Sequence, residues 1–113
     1  MGKLKEAPPL TFEDAAQRVA AECVGLLVSK HRDYGPLNIL AAPFGAERAL
    51  IVRCHDKLAR LAHLVEQGKT PAHESVEDSW RDLANYALIA LMAARGWFSL
   101  AMETVGERGV KDG

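Results

Sequence analysis

Apolar residues return every three or four positions along three long stretches of the chain. In FEDAAQRVAAECVGLLVSKH, residues Phe12, Ala16, Val19, Cys23, Leu26 and Leu27 form one stripe, the spacing of an amphipathic helix. Thr11 stands at the N-cap position, with Glu13 and Asp14 in the first turn, where the helix dipole favours negative charge. The second stretch, AERALIVRCHDKLARLAHLVEQG, sets Leu50, Ile51, Cys54, Leu58, Leu61, Ala62 and Val65 on an apolar face. Ala49, Arg53, Asp56, Arg60 and His63 lie opposite, with Lys57 at the margin. Gly68 supplies the glycine that commonly follows a helix C-terminus. The third stretch runs from Ser75 to Arg95 and stops at Gly96.

The pattern predicts helices over residues 11–31, 46–67 and 75–95. Between the first two, RDYGPLN breaks the periodicity and ILAAPFG reads as a short helical turn. WFSLAMETVGERG reads as a short fourth helix. No stretch alternates with period two between turn residues, so no sheet is expected. The expected fold is all-α, a small antiparallel helical bundle. One domain over residues 11–106 is predicted, between a flexible arm at 1–10 and a flexible tail at 107–113.

Composition narrows the choice of partners. The chain has 113 residues, 49% hydrophobic and 26% charged, with formal net charge −1. It carries no broad basic field, so no nucleic-acid partner is expected. No apolar run reaches the roughly 18 residues of a membrane span, and MGKLKEAPPL lacks the apolar core of a signal peptide. A cytoplasmic protein without a membrane partner is the expectation. Cys23 and Cys54 sit among apolar neighbours and read as small core residues. His31, His55, His63 and His73 show no zinc spacing, and the common phosphate loops and hydrolase elbow are absent.

The chemistry gathers at the start of the third helix, in HESVEDSWRDLANYALIAL. Glu74, Glu77, Asp78 and Asp82 crowd into nine residues. Asp78 and Asp82 stack one turn apart and repel by a few tenths of a kcal/mol. On a helical wheel Val76, Trp80, Leu83, Ala87, Ala90, Leu91 and Ala94 form the expected core stripe, and Asp78, Arg81, Asp82 and Asn85 fall opposite. That second face continues into Ile89 and Met92, so the helix is apolar all round from Ala87 to Ala94, the mark of a helix buried on every side. Asp78, Asp82 and Asn85 are therefore expected to line a cleft. Ionised carboxylates there need compensation, either from Arg53, Lys57 and Arg60 or from a divalent cation such as magnesium. Ser75 to Asp78 also fits a capping box, which would make Asp78 a helix cap. The all-round apolar stretch further predicts a homodimer or larger homo-oligomer with this helix near the interface.

Three segments in this order, KHRDYGPLNI, RCHDKLARLAHL and ESVEDSWRDLANYALIAL, resemble the nucleotide-modification-associated domain proteins of phages and bacteria. These are similar to the all-α, MazG-like nucleoside triphosphate pyrophosphohydrolases. The resemblance covers residues 25–97 or so. It implies an oligomeric helical bundle in which acids from two helices hold Mg2+ against a triphosphate. Water then attacks to release pyrophosphate and a nucleoside monophosphate. Carried onto this chain, Glu74 and Asp78 match the catalytic acidic helix, and Asp56, Glu74, Asp78 and Asp82 become the metal ligands. Lys57 and Arg60 follow Asp56 at phosphate-binding spacing, with Arg53 and Asn85 nearby, and Tyr34 offers a ring for stacking a base. One departure is plain: Asp56 is followed by Lys57 where the superfamily carries paired acids.

The reading that follows is Mg2+-dependent hydrolysis of a (deoxy)nucleoside triphosphate. Two alternatives remain open, a nucleotide-binding module without turnover and a structural helical oligomer.

Overall fold

The computed structural model describes residues 6–68 and 75–104. Four helices follow in chain order: α1 (Phe12–Tyr34), α2 (Leu37–Leu40), α3 (Ala46–Gln67) and α4 (Val76–Ala94). No strand occurs among the described residues, and no described helix is long and apolar enough to cross a membrane.

The boundaries follow from local chemistry. The Thr11 hydroxyl accepts the Asp14 N–H at 3.0 Å and caps α1. The helix continues three residues beyond its expected end. Arg32, Asp33 and Tyr34 are compatible with a helix, and the true break is Gly35-Pro36, where Gly35 takes φ +70° and donates to the His31 carbonyl at 2.8 Å. An L side chain is strained in that backbone region, and Pro36 has no N–H to continue the ladder. α3 closes on left-handed Gly68, which donates to the Leu64 carbonyl at 3.3 Å. α4 opens with a reciprocal capping box. Asp78 N–H donates to Ser75 Oγ at 3.0 Å, and Ser75 N–H donates to Asp78 Oδ2 at 3.4 Å.

The expected fourth helix is absent from its described part, residues 97–104. Gly96, at φ +74°, ends α4, and the Trp97 N–H turns back to the Met92 carbonyl at 2.8 Å. This reversal drops Phe98 onto the core, where it is buried with Ile39, Leu50 and Ile89. A continued helix would have carried Phe98 away from them.

α4 packs chiefly on α3 and also against α1. Leu50 shares a core cluster with Ile89, while Lys57 pairs with Asp82. Positions rising along α3 therefore meet positions falling along α4, and the two helices run antiparallel. Glu22 and Lys30, eight positions apart on α1, reach the adjacent residues Arg81 and Asp82, so α1 crosses α4.

The burial of α4 departs from expectation along part of its expected core stripe. Ser79, Asn85 and Ile89 are its buried residues, while Trp80 is 55% and Leu91 is 54% exposed. Ala87 and Ala94 are exposed as well. Trp80, Ala87, Leu91 and Ala94 of the expected core stripe thus face outward in the single chain, Val76, Leu83 and Ala90 are half-buried, and Asp82 and Asn85 face inward. A helix apolar on two sides gives no local signal for which side will be covered.

Candidate functional site

The inward stripe of α4 forms one wall of a cleft of about 180 Å³. The last turns of α1 bring Leu27, Lys30, His31 and Tyr34 to it. Gly35, Asn38 and Ile39 close one end, and α3 contributes Arg53. Asp82, Asn85, Tyr86 and Ile89 come from α4, and Phe98 from the reversed segment after it. Helical spacing explains the α1 contribution, since residues three and four apart share a face. His31 packs its ring on Phe98 with centroids 4.8 Å apart and planes tilted by 54°.

Asp82 is held from two sides. Lys30 Nζ lies 3.1 Å from Oδ1 and Lys57 Nζ 2.9 Å from Oδ2. The Asp82 side chain is only 13% exposed and that of Lys57 only 16%. Charge-assisted hydrogen bonds are strong in such partly desolvated positions, so this trio also ties α1, α3 and α4 together.

Asn85, one turn further on, is 5% exposed. Neither its Nδ2 nor its Oδ1 has a hydrogen-bond partner among the described residues. Buried polar groups are nearly always paired, and an orphaned carboxamide is costly.

Asp78 belongs to a different neighbourhood. It does not line the cleft. Besides capping α4, its Oδ1 accepts from Arg81 Nη1 at 2.9 Å. Arg81 also donates to Glu77 at 2.8 Å and, across to α1, to Glu22 at 3.0 Å. The hydrogen bond to Glu22 chiefly raises the Arg81 pKa above its ordinary value. The charges of Glu22 and Glu77 and the bond to Glu77 add to this, against partial desolvation.

Of the residues picked from sequence, the cleft therefore unites Tyr34, Arg53, Asp82 and Asn85, with Lys57 reaching Asp82 from behind. Asp56 and Arg60 are exposed on α3 and, like Asp78, outside the lining. Glu74 lies outside the described residues. Among the described residues no three His, Cys, Asp or Glu side chains converge closely enough to hold a metal ion. Lys30, His31, Tyr86 and Phe98 also line the cleft, and none of them is among the site residues expected from sequence. For Lys30 and His31 a signal existed, because both lie in KHRDYGPLNI beside Tyr34. Phe98 had none, because its position depends on the chain reversal at Gly96.

A family model described as nucleotide modification associated domain 1 matches residues 30–93. That segment contains every cleft-lining residue except Leu27 and Phe98. Neither the curated proteins nor the solved structures include one that matches the chain. The match spans more than half of the 113 residues and encloses the cleft, and the chain belongs to the nucleotide modification associated domain 1 family.

Proposed function

We propose that the α1–α4 cleft binds a (deoxy)nucleoside phosphate. The observation that carries this reading is the composition of one small cavity: cationic Lys30 and Arg53, the exposed ring of Tyr34 and the unpaired Asn85 carboxamide line it together. Phosphate groups need positive side chains, and base rings gain from aromatic contacts. Arriving phosphate would compete with Asp82 for Lys30, whose side chain is 49% exposed. The family's description agrees with a nucleotide ligand.

The resemblance to the MazG-like pyrophosphohydrolases adds a reaction to this reading. A (deoxy)nucleoside triphosphate would be hydrolysed with Mg2+ to monophosphate and pyrophosphate, with Asp56, Glu74, Asp78 and Asp82 as the acids. The described residues do not fit that ion as they stand. Asp82 faces two ammonium groups, and Asp78 is committed to Ser75 and Arg81. Binding is therefore the reading we favour, and no hydrolytic step is derived. Calorimetric titration of nucleoside triphosphates, with and without Mg2+, tests binding. Phosphorus NMR of the same mixtures tests for pyrophosphate. Binding without turnover supports the favoured reading, and pyrophosphate release establishes hydrolysis. Absence of binding to any nucleotide in either condition overturns both.

We also propose that a second copy of the chain covers the outward stripe of α4. Trp80, Ala84, Ala87, Leu91 and Ala94 are all exposed at spacings of four and three, and Ile51, Leu58 and Val65 of α3 are exposed at sevenfold spacing. Stripes of this kind are the seams along which helices associate, and monomers seldom leave large apolar patches uncovered. Light scattering at micromolar concentration should show a dimer or larger; a monomer removes the proposal.

A further inference from the structure

The Asn85 carboxamide is the most anomalous polar group in the described chain. It is 5% exposed, lines the cleft, and has neither its donor nor its acceptor satisfied. Nothing in the helix requires an Asn there. α4 is capped at Ser75, ten residues upstream, and the next inward position is Ile89, an ordinary core residue. A leucine of similar size and branching would fill the same place without an unsatisfied amide.

The surroundings indicate what would satisfy it. Four rings, His31, Tyr34, Tyr86 and Phe98, line the same cleft, which suits a flat heterocycle better than a tetrahedral anion. The two cations of the lining are engaged at its margin: Lys30 is half exposed and paired with Asp82, and the Arg53 guanidinium is directed to the Asn38 carbonyl at 3.5 Å. The volume of about 180 Å³ is below the roughly 300–1,000 Å³ that encloses a whole drug-sized ligand. The cleft is of a size to take one ring system, with the sugar and phosphates of a nucleotide extending past its mouth.

We infer that the nucleotide enters base first, and that Asn85 is the residue that reads the base. Its Nδ2 donates to an acceptor on the ring edge while its Oδ1 accepts from the neighbouring N–H, the bidentate pairing a carboxamide offers. The phosphates remain outside the ring slot, toward Lys30 and Arg53. This assignment rests on the nucleotide reading above, and it makes the base, rather than the phosphate chain, the part recognised in the buried floor. The orphaned amide is then a cost carried by the free protein and relieved on binding.

The test pairs a variant with a ligand series. The four deoxynucleoside 5′-monophosphates and deoxyribose 5-phosphate, which has the same phosphate and no base, are titrated calorimetrically into the wild-type protein and into Asn85→Leu. In the wild type, deoxyribose 5-phosphate should bind roughly ten- to a hundredfold more weakly than the best monophosphate, the range expected for losing one bidentate base contact. Asn85→Leu should lose a similar factor for that monophosphate and none for deoxyribose 5-phosphate. Its urea midpoint without ligand should rise, because an unpaired buried amide has been replaced by an apolar group. A merely structural Asn85 would give a fall in that midpoint.

The inference is overturned if deoxyribose 5-phosphate binds the wild type as tightly as the monophosphates do. It is equally overturned if Asn85→Leu keeps full affinity for the best monophosphate. In both cases the protein still binds a phosphorylated ligand, and the nucleotide site survives with a different orientation. If the wild type binds none of these ligands and none of the nucleoside triphosphates either, the nucleotide reading falls with it. The ligand series needs only wild-type protein, so the result does not depend on the variant folding.

Discussion

Asp78 and Asp82 stand one turn apart on α4 and have different fates. Asp78 is 56% exposed at the side chain and sits in a chain of charges with Ser75, Arg81, Glu77 and Glu22 along the outer edge. Asp82 is 13% exposed and is clamped between Lys30 and Lys57. A rotation of about 40° along the helix, the remainder of four residues at about 100° each, separates a solvent-screened network from a partly desolvated one. The repulsion expected of stacked acids is offset because each has its own counter-ions. Surface pairs contribute little, since water and salt already screen them. Pairs shielded from water contribute mainly by being costly to break.

The largest effect is expected at Asp82. Asp82→Ala removes the carboxylate that Lys57, itself 16% exposed at the side chain, meets at 2.9 Å. A loss of about 2 kcal/mol is expected, below the ~3–5 kcal/mol of a fully buried pair because Lys30 remains half in water. Urea denaturation monitored by circular dichroism measures it; a loss no larger than that of an exposed pair would show that the clamp is a surface feature.

Asp78→Ala should cost about 1 kcal/mol, through the reciprocal cap rather than through charge. Asp78→Asn keeps an acceptor for the Ser75 N–H and should cost less than Asp78→Ala. Nucleotide affinity should stay at the wild-type level in both variants. If Asp78→Asn instead abolishes Mg2+-dependent pyrophosphate release by a protein that otherwise shows it, Asp78 belongs to a metal site and the division between the two acids is wrong.

The smallest effect is expected at Glu22→Gln, which removes one exposed partner of Arg81 on α1. About 0.5 kcal/mol or less should be lost at low ionic strength, and the difference should vanish near 1 M salt, where the screening length falls to about 3 Å. The Asp82→Ala deficit should persist in the same salt. Failure of salt to separate the two variants would place both acids in one electrostatic environment.

Much of this protein is determined by local pattern. Thr11 and Ser75 cap helices, Gly68 and Gly96 end them, and the period of apolar residues brackets α1, α3 and α4 within a few positions. Those signals act over one or two turns and are written in neighbouring residues. The inward placement of Asp82 and Asn85 was also legible, because their stripe runs on into Ile89.

Packing between distant segments settles which residues of α4's expected core stripe stay exposed, which acid leaves the solvent, and where residues 97–104 go. Trp80 and Leu91 look like core and are exposed; Lys30 was passed over, yet it holds Asp82. Asp78 and Asp82 are chemically the same side chain one turn apart, and a wheel gives them one face. They separate because α1 and α3 present lysines at one position and α4's own Arg81 occupies the other, and contacts between residues 25 or more positions apart leave no period in the sequence.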